Sequence, residues 1–233
     1  EEGQKEYSAE DTLQWSEEDA QNLRAYNCPS CGAQLIADKN TAATSCPYCG
    51  NPTIVPSQFS GALKPDYVIP FKMNKDEAIK KLTDFYGGKP LLPDAFKERN
   101  HIEDIKGVYV PFWLYDGTAD VDMAFRGTIS HSHREGDYTV TVTENYSILR
   151  QGTVQFNRVP ADGSSKMPDE FMDAIEPYNY NEMIPFEMGY MTGYLADRYD
   201  VTAEQDRNRV NTRMRTSSAD KIRETVKGYH TLF

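Results

Sequence analysis

Long apolar runs are missing from this sequence of 233 residues. The longest, Val108–Tyr115, is of strand length, whereas a membrane-spanning helix needs about 20 apolar residues. The first residues are acidic and polar, unlike the apolar core of a secretory signal. We therefore expect a soluble, cytoplasmic chain. Because residue 1 is Glu and not Met, we also expect it to be a truncated part of a longer protein.

Concentrated basic patches are also missing, and the net charge is −11 at pH 7. Such a surface repels phosphate backbones and anionic headgroups unless basic residues are locally concentrated. The densest group of basic residues is interleaved with Glu204 and Asp206, which is typical of a solvated helix face. Its members are Arg207, Arg209, Arg213 and Arg215. The charge pattern therefore disfavours a nucleic-acid-binding function.

The motifs of common active sites are absent as well. The sequence has no Gly-x-Ser-x-Gly, no His-Glu-x-x-His and no dinucleotide-binding fingerprint. The acidic stretch from Asp116 lacks the Gly and the Glu that a calcium loop needs at its sixth and twelfth positions. His131 and His133 share a strand face without an adjacent carboxylate or cysteine, so we interpret them as exposed polar residues. We expect no catalytic residues, no organic cofactor and no enzymatic activity.

The four cysteines all fall within 22 residues, as two Cys-x-x-Cys-Gly motifs. This pattern predicts a zinc ribbon over residues 27–57, with one structural Zn²⁺. In each motif a proline fixes the backbone after the first cysteine, and the glycine allows the turn that directs amide groups at the sulfurs. Residues 33–37 and 41–45 are expected to pair as a hairpin that brings the two motifs together. The predicted metal ligands are Cys28, Cys31, Cys46 and Cys49.

The cysteine pattern has three alternatives to a zinc site. Iron in a rubredoxin-like site would use the same four sulfurs, and the sequence leaves that alternative open. Cys46–Cys49 matches the glutaredoxin motif, but Gly50, Asn51 and Pro52 cannot continue the helix which that active site requires. Disulfides are disfavoured, because two paired motifs are typical of metal binding. Four protein ligands also leave no open coordination position, so the metal is expected to be structural.

The rest of the chain predicts an α+β fold, with the helices mainly C-terminal. Residues 17–25 read as a short helix, and the pairs Asn74–Glu77 and Thr202–Gln205 predict the starts of two others. From residue 105 to about 159, apolar residues recur with a period of two, which predicts an antiparallel meander of about four strands. The predicted domains are an acidic N-terminal segment with a short helix (1–26), the ribbon (27–57) and an α+β domain (58–233).

Over about residues 26–215 the sequence resembles the TFIIB-type zinc-ribbon-containing proteins of Gram-positive bacteria, a family sometimes labelled as a PriA-type helicase. The matching segments are the two cysteine motifs, Lys64–Phe71, Lys106–Leu114, Val159–Ser164, Glu176–Tyr178 and Tyr194–Asp197. The resemblance implies a cytoplasmic portion of a membrane-associated protein that acts as a scaffold in envelope stress. It also implies flotillin-like (SPFH-domain) or phage-shock-type protein partners.

Two function classes follow from these observations. The first is a non-catalytic scaffold or adaptor that binds protein partners. The second is a nucleic-acid-binding protein of transcription or replication, as the family label suggests. Zinc ribbons serve both purposes, so the fold does not decide between them. The acidic charge favours the scaffold, because a nucleic-acid-binding protein should show a basic stripe.

Overall fold

The computed structural model describes residues 14–41, 45–52, 55–57, 63–87, 89, 91 and 105–233. Within these residues the protein mixes α and β structure and is mostly sheet, with four helices. The predicted mixture of helix and sheet is confirmed. The chain divides into two compact units, Glu1–Pro111 with Asp162–Val201, and Phe112–Ala161 with Thr202–Phe233. The predicted domains 1–26, 27–57 and 58–233 stay a prediction, and most of the acidic segment lies outside the described residues.

The helices and strands are numbered in chain order. The helices are α1 (Glu17–Gln21), α2 (Lys75–Gly87), α3 (Asp169–Ala174) and α4 (Ala203–Glu224). The strands are β1 (Leu23–Asn27), β2 (Gln34–Asp38), β3 (Val55–Ser57), β4 (Tyr67–Val68), β5 (Val108–Tyr109), β6 (Phe112–Glu135), β7 (Tyr138–Asp162), β8 (Ile184–Pro185), β9 (Leu195–Asp197) and β10 (Thr231–Leu232).

The first unit is built on a five-stranded sheet with the order β3-β1-β2-β9-β5. The central strand β2 pairs antiparallel with β1 on one side and with β9 on the other. Leu35 is fully buried on one face of β2, where Tyr26 and Leu195 join it in a core cluster. Ile36 packs on the opposite face against Leu23 and Met191. Both faces are apolar, as expected for a strand at the centre of a sheet.

The pairing predicted between residues 33–37 and 41–45 involves residues 42–44, which lie outside the described part of the chain. Both edges of β2 are occupied, because Leu23–Asn27 and Leu195–Asp197 donate and accept its backbone hydrogen bonds. The first cysteine motif is therefore supported by strands on both sides, one of them from a distant part of the sequence.

The predicted helix starts are confirmed at two capping boxes. The amide of Glu77 donates to Oδ1 of Asn74 (2.9 Å), and the amide of Asn74 donates to the carboxylate of Glu77 (3.2 Å). Thr202 and Gln205 exchange the same pair of bonds at the start of α4. The first helix, in contrast, ends at Gln21 and not at residue 25, because Leu23 begins β1 and pairs with Asp38.

The second unit contains a long β-hairpin formed by β6 and β7, which have 24 and 25 residues. Gly136, with φ of 61°, begins the two-residue turn between them, a position that requires positive φ in the common hairpin turns. Hydroxyl contacts fix the register, since Ser130 lies 2.9 Å from Thr143 and Ser132 lies 2.7 Å from Thr141. The short strand β10 pairs with the other edge of β6. The prediction of about four strands between residues 105 and 159 is therefore wrong, because two strands run almost throughout.

Helix α4 covers part of one face of this hairpin. Its buried residues recur every four positions, and Val210, Met214 and Ile222 pack against the sheet. Phe125 and Ile148 form the centre of the core cluster together with Ile222. The opposite face is polar, and there Asp120 and Asp122 accept hydrogen bonds from Thr153 and Gln151. This division between the two faces is typical of an antiparallel sheet with one solvated side.

Gly127 in β6 makes room for the C-terminal segment. A Cβ added at Gly127 would lie 2.6 Å from Cδ1 of Tyr229 and 2.9 Å from Cδ1 of Ile148. We expect Gly127→Ala to displace Tyr229 and to lower the free energy of unfolding by about 1–3 kcal/mol. Urea unfolding followed by circular dichroism measures the change. Gly189→Ala is the matched control, since a Cβ there meets nothing within 4 Å; equal stability of the two variants would contradict the prediction.

Candidate metal centre

The two cysteine motifs adopt the same local structure. In the first, the amide of Cys28 donates to the carbonyl of Ala33 (2.9 Å), and the amide of Gly32 donates back to the carbonyl of Cys28 (2.9 Å). In the second, the amides of Cys46 and Gly50 repeat the pattern, at 2.8 and 3.1 Å. Both glycines have φ of 72°, a backbone conformation that glycine adopts without steric cost. The role predicted for the glycines is therefore seen in both turns.

The structure brings the four predicted ligand residues together. Sγ of Cys28 lies 3.6 Å from Sγ of Cys49, and Sγ of Cys31 lies 3.6 Å from Sγ of Cys46. All four sulfurs lie within 4.8 Å of one another. A tetrahedral zinc site with Zn–S bonds of about 2.3 Å places its sulfurs about 3.8 Å apart. The cluster therefore has the size and the donor set to hold one metal ion such as zinc, and none of the four cysteines forms a disulfide.

Backbone amides and burial act on the sulfurs in opposite directions. The amide of Cys31 directed at the Cys28 sulfur lowers the pKa of that thiol to about 6. Burial raises the pKa of the Cys31 thiol to about 12 and raises the pKa of Cys46 as well. Four thiolates at these separations repel one another strongly, so they cannot all be ionised without a cation among them. A divalent ion would offset that repulsion, and the amide contacts would spread the remaining negative charge.

Two lysines bind the backbone of the motifs. Nζ of Lys166 donates to the carbonyl of Cys31 at 3.1 Å, and Lys106 contacts Ser45. A zinc ion held by four thiolates carries a net charge of −2, so neighbouring ammonium groups stabilise it electrostatically. Neither lysine could be assigned this role from sequence, because each lies more than 50 residues from the motif that it contacts.

Tyr48, inside the second motif, links the centre to the sheet. Its ring packs against the clusters formed by the cysteines and by Leu35. Beyond it lies Asp197 of β9, which is 6% exposed and accepts a hydrogen bond from Oγ of Ser164. Burial raises the pKa of Asp197, and the hydroxyls of Ser164 and Tyr48 oppose that rise. Ser164 and Asp197 each belong to a segment that matches the family. This shared membership is the sequence signal that could have pointed to the pair.

The structure bears differently on each alternative to a zinc site. Residues 47–49 form a turn, so the helix that a glutaredoxin site requires does not follow Cys46. Zinc and iron fit the same sulfur geometry, and that choice stays open. His131 is exposed, as predicted, and its ring lies 6.2 Å from the ring of His230, counted between centroids. Within the described residues, the four cysteines are the one group of three or more ligand side chains that could hold a metal.

No helix among the described residues is both long enough and apolar enough to cross a membrane. This agrees with the absence of a long apolar run in the sequence.

Comparison with known proteins gives one informative match. No family model matches the chain, and no solved structure matches it. The chain is similar to the uncharacterized protein YdjG of Bacillus subtilis (strain 168), with 35% identity over 176 residues. The alignment covers 76% of this chain and 52% of YdjG, so the chain spans about half the length of this relative. Membership of the TFIIB-type zinc-ribbon family stays a prediction from the sequence motifs.

Proposed function

We propose that this chain is a non-catalytic zinc-ribbon scaffold that binds protein partners. The observation that carries the proposal is the closed set of four cysteine sulfurs, all within 4.8 Å of one another. With four protein ligands, a bound Zn²⁺ has no position left for water or substrate, so it stabilises the fold and supplies no catalysis. In this proposal Cys28, Cys31, Cys46 and Cys49 hold the metal, and the five-stranded sheet around them depends on it.

Charge and side-chain pairing support a protein partner over a nucleic acid. The net charge of −11 repels phosphate backbones. Two arginines of α4 are engaged within their own unit, since Arg207 pairs with Glu204 at 2.8 Å and Arg213 donates to the carbonyl of Pro160 at 2.7 Å. A nucleic-acid-binding protein would need several such cations turned towards phosphates.

The family resemblance suggests the setting and the partners. We propose that the chain is the cytoplasmic, soluble part of a longer membrane-associated protein active in envelope stress. Flotillin-like (SPFH-domain) and phage-shock-type proteins are the proposed partners. The match to YdjG supports a longer protein, because the chain corresponds to only about half of that relative.

The proposal predicts that partner binding depends on the metal centre. We expect the tagged wild-type chain to retain a flotillin-like or phage-shock-type protein of the same organism in a binding assay with purified components. We expect Cys46→Ser to reduce that retention at least about tenfold, because the sheet around the metal loses its fixed structure. Ser30→Ala is the control, since Ser30 lies exposed in the same turn as the ligands and holds no metal.

Two outcomes would contradict the proposal. One is equal retention by the Cys46→Ser variant, which would separate partner binding from the metal centre. The other is tight binding of the wild-type chain to DNA or RNA in a filter assay, with the steep salt dependence that phosphate contacts produce. That second outcome would favour the transcription or replication function.

A further inference from the structure

The outer strand of the hairpin has an unusually long open edge. Strand β7 has 25 residues, whereas strands in globular proteins usually have about 3–10. It is the last strand in the order β10-β6-β7, and no further strand lies beside it among the residues that the structure describes. An edge strand presents a row of backbone donors and acceptors that fits another extended strand.

One part of this edge lacks the usual protection against pairing. This part, the tip strand, is Tyr138–Thr143, and it has no charged residue, no proline and no glycine. Its residues are aromatic or β-branched, and Tyr138 is 79% exposed and Val142 is 49% exposed. Natural edges are commonly blocked by charges, prolines or bulges. The remainder of β7 carries such features, namely Glu144, Arg150, Gly152, Arg158 with φ of 56°, and Pro160.

The tip strand is also held in register by the hairpin itself. The hydroxyls of Thr141 and Thr143 contact Ser132 and Ser130 across the hairpin, at 2.7 and 2.9 Å. These contacts hold the side chains of Thr141 and Thr143 in place before any partner binds. Binding to a strand that is already ordered costs less conformational entropy than binding to a flexible segment.

We propose that two copies of this chain associate through their tip strands, which pair antiparallel about a two-fold axis at Thr141. In this register Val140 of one copy lies opposite Val142 of the other, and Thr139 lies opposite Thr143. A second copy fits this edge because identical strands in antiparallel pairing satisfy a closed two-fold symmetry. The contact also avoids the repulsion expected from a chain of charge −11, because the tip strand carries no charge. This inference does not depend on the proposed function.

Light scattering during size-exclusion chromatography tests the association. We expect the wild-type chain at about 100 µM to have twice the 26.5 kDa mass of one copy. We expect Val142→Lys to be monomeric, with affinity for itself lowered about tenfold or more, since an edge lysine blocks strand pairing. Gln155→Lys is the matched control and should remain dimeric, because it adds the same charge at an exposed position of β7 outside the tip strand.

A cross-linking measurement tests the register and does not depend on how well the lysine variant folds. Residues directly opposite in an antiparallel pair have Cα atoms about 4.5–5.5 Å apart, which suits a disulfide. We expect zinc-loaded Thr141→Cys to form a covalent dimer under mild oxidation, and Thr153→Cys to remain monomeric. A wild-type chain that is monomeric at every concentration would overturn the proposal. The partner of this edge would then be a strand of a different protein. A dimer that persists in Val142→Lys would overturn it as well.

Discussion

Replacing Cys46 with serine is expected to abolish zinc binding and to unfold the five-stranded sheet. Cys46 is 1% exposed and lies in a cluster with Cys28, Cys31, Ala33 and Tyr48. The substitution leaves three thiolates, whereas a structural zinc site uses four protein ligands. Structural zinc in small ribbon and finger domains contributes about 10–16 kcal/mol at pH 7, which matches or exceeds the usual net stability of a domain, about 5–15 kcal/mol.

Two measurements check this expectation. Elemental analysis should find one zinc per wild-type chain and less than about a tenth of that in Cys46→Ser. The two tryptophans lie in different units, so the fluorescence of Trp15 in a Trp113→Phe background reports on the unit that holds the metal. The Trp15 ring packs edge-on against Phe186 and should become exposed to solvent in the Cys46→Ser variant.

The control for this prediction is Ser30→Ala, which changes an exposed residue of the first motif and leaves the four sulfurs in place. It should bind one zinc and unfold at the same urea concentration as the wild-type chain. A Cys46→Ser variant that keeps stoichiometric metal and the wild-type Trp15 spectrum would show that the four sulfurs do not form the metal site. Iron in place of zinc would leave the geometry intact and change only the identity of the ion.

The parts of this structure that the sequence predicted correctly are local. The cysteine motifs are predictable because each turn is closed by its own residues, as the bonds between Cys28, Gly32 and Ala33 show. The capping boxes at Asn74 and Thr202 are predictable for the same reason, since their hydrogen bonds span three residues. In such cases the nearby residues alone determine the conformation.

The pairing of β2 could not be predicted, because it depends on a distant segment. Residues 33–37 and 41–45 are separated by a plausible turn, and local reasoning pairs them. In the structure β9, about 160 residues later, takes one edge of β2 and β1 takes the other. A separation of 135 residues likewise hides the contact of Lys166 with the carbonyl of Cys31. Contacts between distant segments leave little trace in a single sequence.

The lengths of the two hairpin strands were not predicted either, and three glycines lie within these strands. Glycine within a strand pattern commonly marks a turn or a bulge. Here Gly117 and Gly127 lie under Met214 and Tyr229, where an added Cβ would come within 3.0 and 2.6 Å. A Cβ at Gly152 would come within 3.2 Å of Ile222. These glycines allow the helix and the C-terminal segment to approach the sheet, and the strands continue through them.

The second large effect is expected at Phe125, the centre of the core between the hairpin and α4. Phe125 is 4% exposed and packs in one cluster with Ile148, Ile222 and Val226. Truncation to alanine removes a ring and leaves a cavity that a sheet covered by a single helix cannot easily close. We expect Phe125→Ala to lower the free energy of unfolding of this unit by about 3–5 kcal/mol. Urea unfolding, followed by Trp113 fluorescence in a Trp15→Phe background, measures the loss in the unit that contains the hairpin.

The matched control lies on the same hairpin and separates burial from hydrophobicity. Leu149 is a large apolar residue of β7, but it is 68% exposed. Because little apolar surface leaves water at Leu149 on folding, Leu149→Ala should change stability by less than about 0.5 kcal/mol. If the two variants lose stability equally, the packing of α4 against the Phe125 face cannot be what holds the hairpin. A Phe125→Ala variant that unfolds like the wild-type chain would mean that a hairpin of this length is stabilised mainly by its own hydrogen bonds, contrary to the expectation for two strands in water.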